Sequence, residues 1–222
     1  PQVHGATREN LNHLVDQLTI EINSVTDNPI ILSKDKVISG GHFHGQPIAY
    51  IADFLGIIMS ELADISERRI DRLLNPLINE MKPFLTVDPG VNSGLMIIQY
   101  TAAALVSENK VLAHPASVDS IPTSAYQEDH VSMGSIASRK AGKIIEHTAQ
   151  VLAIEWLSAS QAYEFLKPLK MGKGTNAAYN LLREKVPALQ EDRILAPDLR
   201  IAKDLLWNDK LFDYVGQFVK LV

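Results

Sequence analysis

No cysteine occurs in this 222-residue chain, which excludes disulfides and thiolate metal sites outright. That absence fits a reducing compartment. Basic charge is not in excess: 21 Lys and Arg stand against 26 Asp and Glu, a net charge of -5, so the electrostatic footprint of a nucleic-acid binder is missing. No uninterrupted apolar run is long enough to cross a bilayer, and no secretory pattern opens the sequence. The expectation is a cytoplasmic protein that engages neither nucleic acid nor membrane. Internal repeats and low-complexity tracts are missing too. So is an initiator methionine, since Pro1 comes first; we expect an upstream portion, removed or carried on another chain.

What remains is helical periodicity. Leu11, Leu14, Val15, Leu18 and Ile22 form an i, i+3, i+4 stripe behind Thr7, which suits a helix cap. Two short β-rich runs, 30–32 and 37–38, flank Ser-Lys-Asp-Lys and predict a small hairpin. A helix is expected over 47–74, its later part densely charged around Glu67, Arg68, Arg69, Asp71 and Arg72, and stopped by Asn75-Pro76. A second runs from Asn92 or Ser93 to 110. Its small residues, Ala102, Ala103 and Ala104 among them, predict an interior position in a bundle.

A third long helix is expected over 134–166, about 45 Å at 1.5 Å per residue. Such length favours a bundle shared between subunits. Shorter helices follow near 176–185, 198–206 and 208–222, separated by Pro187 and Pro197. The fold class is therefore all-α, a long-helix bundle with one small β-hairpin. Residues 1–166 are expected to form the helical core, and 167–222 a helical appendage of the same domain.

Between the second and third long helices lies 117–133, a stretch that Pro115 and Pro122 keep from being helical. Connectors of this length are usually functional or disordered. Val118, Ile121, Tyr126, Val131 and Met133 are expected to anchor it. It ends in Gln127, Glu128, Asp129 and His130. Glu128 can act on an amine, an imidazole or a proton; spacing alone favours a solvated loop acid or helix cap, with Asp129 the better cap for the helix that follows. His42-Phe43-His44, after Ser39-Gly40-Gly41, offers two histidines on one face of a strand and hence a possible metal pair. No third ligand stands at a recognisable spacing, so no metal is expected, and an aromatic wall with a hydrogen-bonding neighbour is the alternative. His4, His13, His114 and His147 carry no pattern. Gly172-Lys173-Gly174 lacks the strand and helix of a phosphate loop.

Taken together, several segments resemble the aromatic amino acid ammonia-lyases. They are Ser24-Val-Thr-Asp-Asn-Pro29, Ser39-Gly-Gly-His-Phe-His-Gly45, Ser66-Glu-Arg-Arg69, Gly90-Val-Asn-Ser-Gly94, Ser107-Glu-Asn-Lys110, His114-Pro-Ala-Ser-Val-Asp-Ser120, Pro122-Thr-Ser124 and Gln127-Glu-Asp-His-Val-Ser-Met133. The resemblance covers 1–165 in order, matches the C-terminal part of the family, and is closest to its histidine-specific branch. It implies a helical lyase of the aspartase/fumarase-like superfamily, assembled as a homotetramer of complete protomers. It also implies elimination of ammonia from an amino acid, L-histidine giving trans-urocanate, through methylidene-imidazolone (MIO), an electrophile formed from Ala-Ser-Gly.

No Ala-Ser-Gly occurs in this sequence. The N-terminal portion of the lyase is therefore an expected partner, and the chain alone is expected to be inactive. By the same resemblance Phe43 lines the site near the electrophile and Glu128 lies near the substrate amine and imidazole. Gln127 and His44 are their neighbours and join the substrate-binding set. Relatives acting on phenylalanine or tyrosine usually carry Asn-Gln-Asp where this chain has Gln127-Glu128-Asp129, so Glu128 tilts the choice toward an imidazole substrate. His42, Gln46 and Tyr126 depart from the family's usual residues. Three alternatives stand beside this reading: a tyrosine or phenylalanine lyase or aminomutase, a structural fragment that only assembles, and a metal-dependent hydrolase built on His42 and His44.

Overall fold

The computed structural model describes residues 1–221. Seven helices are described: α1 (Gln2–Ile22), α2 (Gln46–Leu74), α3 (Met96–Leu112), α4 (Gly134–Glu164), α5 (Lys173–Arg183), α6 (Ala196–Trp207) and α7 (Lys210–Gly216). A two-stranded antiparallel hairpin, β1 (Ile30–Ser33) and β2 (Lys36–Ile38), pairs Ile30 with Ile38 and Ile31 with Val37. The all-α expectation with one hairpin is met. Periodicity located the helices, although in α1 only Leu14 of the expected stripe is buried, while Val15, Leu18 and Ile22 are exposed. At the first helix the start was misjudged: Thr7 is no cap but lies inside α1, where its hydroxyl donates to the Val3 carbonyl at 3.3 Å.

The chain divides into two compact units, 1–62 with 109–145 and 63–108 with 146–222. Residues on both sides of 166/167 belong to the second unit. The reason is packing: Ala153 and Leu157 of α4 share a buried cluster with Leu181 and Leu182 of α5 and Ala202 and Leu205 of α6. Glu164 reinforces this join. It accepts from Tyr179 at 2.6 Å, Lys167 at 2.6 Å and Arg183 at 3.0 Å. Burial works against its charge, yet these three donors hold its carboxyl below the ordinary value.

The second unit's main core joins Ile70 and Leu74 of α2, Ile98 and Ala102 of α3, and Val151 and Ile154 of α4, all buried. The charged end of α2 is organised here rather than merely solvated. Arg69 donates to Glu155 at 2.7 Å, Ser66 donates to the same carboxylate at 2.6 Å, and Gln99 donates to Asp71 at 2.9 Å. At the start of α3, Asp192 accepts the N–H groups of Ser93 (2.7 Å) and Gly94 (2.8 Å), occupying donors that precede the helix.

In the first unit Ala52, Ala137 and Ala141 are buried together, with Leu55 and Ala116 packed against them. Small residues at this contact let α2 and α4 approach closely. A Cβ placed on Gly134 would sit 3.7 Å from the Ala49 side chain, so the two helix starts are neighbours.

The small residues of α3 are not all interior. Within this chain Ala103 is exposed and Ala102 is the fully buried alanine. Ala102→Leu should therefore destabilise the protein by about 1–3 kcal/mol through overpacking. Ala103→Leu should shift the urea midpoint of the isolated chain far less, and comparing the two midpoints checks the assignment.

Candidate active site

Two turns make the site, both in the first unit. In the first, His42–His44 forms a single 3-10 turn rather than the strand expected for this segment. The difference matters chemically, because a strand would place both histidines on one face and the turn does not. His42 pairs with Glu21 at the end of α1, 3.4 Å away. His44 Nε2 instead lies 2.9 Å from Gln46 Oε1. Among the described residues there is no group of three or more His, Asp or Glu side chains placed to hold a metal ion. Gly45 follows with φ 75°, a left-handed conformation that other residues adopt only with strain. It lets the turn run straight into α2, whose Ala49 N–H bonds back to the Gly45 carbonyl at 3.1 Å. Phe43 and His44 are thereby set at the amino-terminal mouth of a 29-residue helix.

The second turn belongs to the long connector between α3 and α4. Apolar anchoring was expected of Val118, Ile121 and Tyr126, but all three are exposed. Polar contacts hold the connector instead. The buried Asp53 carboxylate of α2 accepts the Ser117 N–H at 2.7 Å. Ser120 Oγ accepts the Val131 N–H at 3.0 Å. Between them Thr123 and Glu128 exchange two backbone hydrogen bonds, 3.0 and 3.3 Å. The residues enclosed, Ser124, Ala125 and Tyr126, all have positive φ (52°, 53° and 69°). Each such residue costs of order 1–3 kcal/mol and persists only where its surroundings impose it. This reversal presents Gln127 and Glu128 at its end. Asp129 does not cap the next helix: α4 begins at Gly134, with the Ile136 and Ala137 N–H groups on the Met133 carbonyl.

The two turns face one open hollow of about 840 Å3, within the size range of small-molecule sites. Phe43, His44, Gln127 and Glu128 all line it, so the structure brings the four candidates together. His130 lines it too. Its ring stacks on His44, centroids 5.6 Å apart and 20° from parallel. Sequence reasoning passed over His130 as a site residue, and it also missed Ser135 and Ser138, which line the hollow from the first turns of α4. The expected start of that helix at Gly134 was the available signal. Because α2 and α4 both begin at this hollow, their unpaired N–H groups and aligned dipoles make it favourable to negative charge.

Asp53 controls the connector's base. Burial opposes its ionisation, but the Ser117 side chain and N–H, the Ala116 N–H and the Lys140 charge together bring its carboxyl below the ordinary value. None of the residues here can form an electrophile from Ala-Ser-Gly, which the chain lacks. What they offer is a wall: an exposed phenyl ring, 54% accessible, beside a carboxylate.

An open small-molecule hollow at the starts of paired long helices, with an aromatic ring on one turn and an acid on another, fits a helical lyase. A family model described as aromatic amino acid lyase matches residues 1–184, and the chain belongs to that family. It is 54% identical over its whole length to the histidine ammonia-lyase of Alkaliphilus metalliredigens. It is 58% identical over 95% of its length to that of Caldanaerobacter subterraneus subsp. tengcongensis. It spans 44% and 42% of those two proteins, less than half of each. Among solved structures, histidine ammonia-lyase from Trypanosoma cruzi superimposes with a TM-score of 0.93 at 45% identity, over 99% of this chain and 44% of that one. Tyrosine aminomutase from Streptomyces globisporus gives the same TM-score at 36% identity, over 100% and 43%.

The depressed Asp53 carboxyl has a consequence for stability. Its folded-state value lies below that of the unfolded chain, about 3.9, so its contribution is complete above that value and is lost as pH falls through the folded one. Wild type should thus lose more stability between pH 6 and pH 3 than Asp53→Asn does. Denaturant midpoints of both proteins at the two pH values measure this, and equal losses would remove Asp53 from the account.

Proposed function

We propose that this chain forms part of an ammonia-lyase converting L-histidine to trans-urocanate and ammonia. The observation that carries the reading is the meeting of Glu128 and Phe43 at one hollow, in a chain 54–58% identical to histidine ammonia-lyases. The reaction removes the α-amino group and a β-proton from the same substrate, leaving a carbon–carbon double bond. MIO, when present, would supply an electron-withdrawing centre that lets the amino group leave. Its Ala-Ser-Gly precursor is carried by the N-terminal portion of the complete protein. Complete protomers then assemble as a homotetramer, in the cytoplasm. No helix of the described residues is long and apolar enough to cross a membrane.

In this reading each residue of the chain has a separate task. Phe43 forms the apolar wall beside the electrophile and keeps water from it. Glu128 accepts a hydrogen bond from the substrate amine or imidazole N–H and so fixes the substrate's orientation; as a carboxylate it can also take and return a proton. Gln127 and His44 flank these two and contact the substrate from the sides. The tight Thr123–Glu128 pairing supports this role, because an acid on a rigid turn loses little entropy on binding.

A second reading is an aminomutase on the same scaffold, favoured by the likeness to tyrosine aminomutase at a TM-score of 0.93. The carboxylate at Glu128 weighs against it, since an imidazole N–H is the better partner for a negative charge. In the complete protein, Glu128→Gln should lower kcat for histidine by about a hundredfold or more. Thermal stability should stay almost unchanged, because an exposed loop position contributes little to folding. The rate of urocanate formation and a melting curve measure the two effects. Strong turnover of tyrosine with none of histidine would replace the substrate, and absence of any turnover in the complete protein would leave a purely structural role.

A further inference from the structure

We infer that His130 is a positioning residue that holds Glu128 in place through its ring stack on His44, an inference that rests on the role given to Glu128 above. His130 lies two residues beyond Glu128, at a bend just after the Thr123–Glu128 pairing. Its ring lies over His44 at 5.6 Å and 20°, inside the range at which aromatic rings attract. His44 is itself fixed: its Nε2 lies 2.9 Å from Gln46 Oε1, and Gly45 welds its turn to α2. The stack therefore ties the connector to the rigid start of α2 directly beside the hollow.

The physical need for such a tie is visible in the connector. Val118, Ile121 and Tyr126 are exposed and hold nothing. The Ser120–Val131 hydrogen bond closes the connector on itself, and the Asp53–Ser117 bond fixes only its far end. The Thr123–Glu128 bonds clamp the three left-handed residues before Gln127 but do not set where the reversal as a whole lies against α2. A ring stacked on His44 restrains that segment, and with it the direction of the carboxylate. Small misplacements of a catalytic group cost rate out of proportion to their size.

What the stack needs is an aromatic face, not a titratable nitrogen, and this makes the role testable. In the complete, MIO-containing protein, His130→Ala should lower kcat by about tenfold or more. His130→Phe, which restores a ring, should stay within about threefold of wild type, and His130→Leu, bulky but not aromatic, should behave like alanine. Melting temperatures of the three variants show whether each is folded; should alanine fail to fold, the phenylalanine–leucine pair carries the comparison. The decisive measurement is a double-mutant cycle. Because His130 acts through Glu128, adding His130→Ala to Glu128→Gln should cost no more than about threefold.

A full multiplicative loss in the double variant overturns the inference. So does a phenylalanine variant as slow as alanine, or an alanine variant with unchanged kcat. If instead Glu128→Gln alone runs at the wild-type rate, the assignment of Glu128 fails and this inference falls with it, a result distinct from each of the others.

Discussion

A buried carboxylate, Asp53, fixes where the connector between α3 and α4 sets out. That connector buries almost none of its apolar side chains, so the hydrophobic effect does little to order it. Ordering a segment of this length opposes folding by about 1–2 kcal/mol per residue of backbone. The Asp53–Ser117 bond begins to offset that cost where the connector leaves Ala116, whose side chain packs on the buried alanines of α2 and α4. Each later contact, Ser120 with Val131 and Thr123 with Glu128, depends on the chain having set off in the right direction.

The two turns at the hollow obtain rigidity by opposite means. The His-Phe-His turn is stiff because it is short and welded to α2 through a glycine in a conformation that glycine alone adopts freely. The Gln-Glu-Asp-His turn is stiff because strained backbone is clamped by paired hydrogen bonds. An apolar ring and an acid thereby face one space without either belonging to a helix. Placing both at the amino-terminal ends of long helices surrounds them with oriented N–H groups at no further cost in side chains. The small alanines of the α2–α4 contact bring those ends close enough to share one hollow.

Most of the secondary structure was legible beforehand, and the departures have physical causes. Thr7 resembled a cap because its residue type suits one, but nothing in a local pattern forbids a helix from starting earlier when upstream residues tolerate it. His42–His44 reads as a strand in sequence because alternation over three residues cannot be told from one turn of helix. Ala102, Ala103 and Ala104 look alike in sequence until a partner surface selects Ala102.

Sequence by itself determined the helical class, the hairpin, the helix stops at proline, and the absence of Ala-Ser-Gly, because each depends on residues close together in the chain. It also supplied the motifs through which Phe43 and Glu128 were singled out. Tertiary structure alone decided that these two line the same hollow, that His130 stacks on His44, and that polar contacts rather than Val118, Ile121 and Tyr126 hold the connector. Such facts arise from contacts between segments remote in sequence, and whether two remote segments meet is settled by how helices pack, not by the residues of either one.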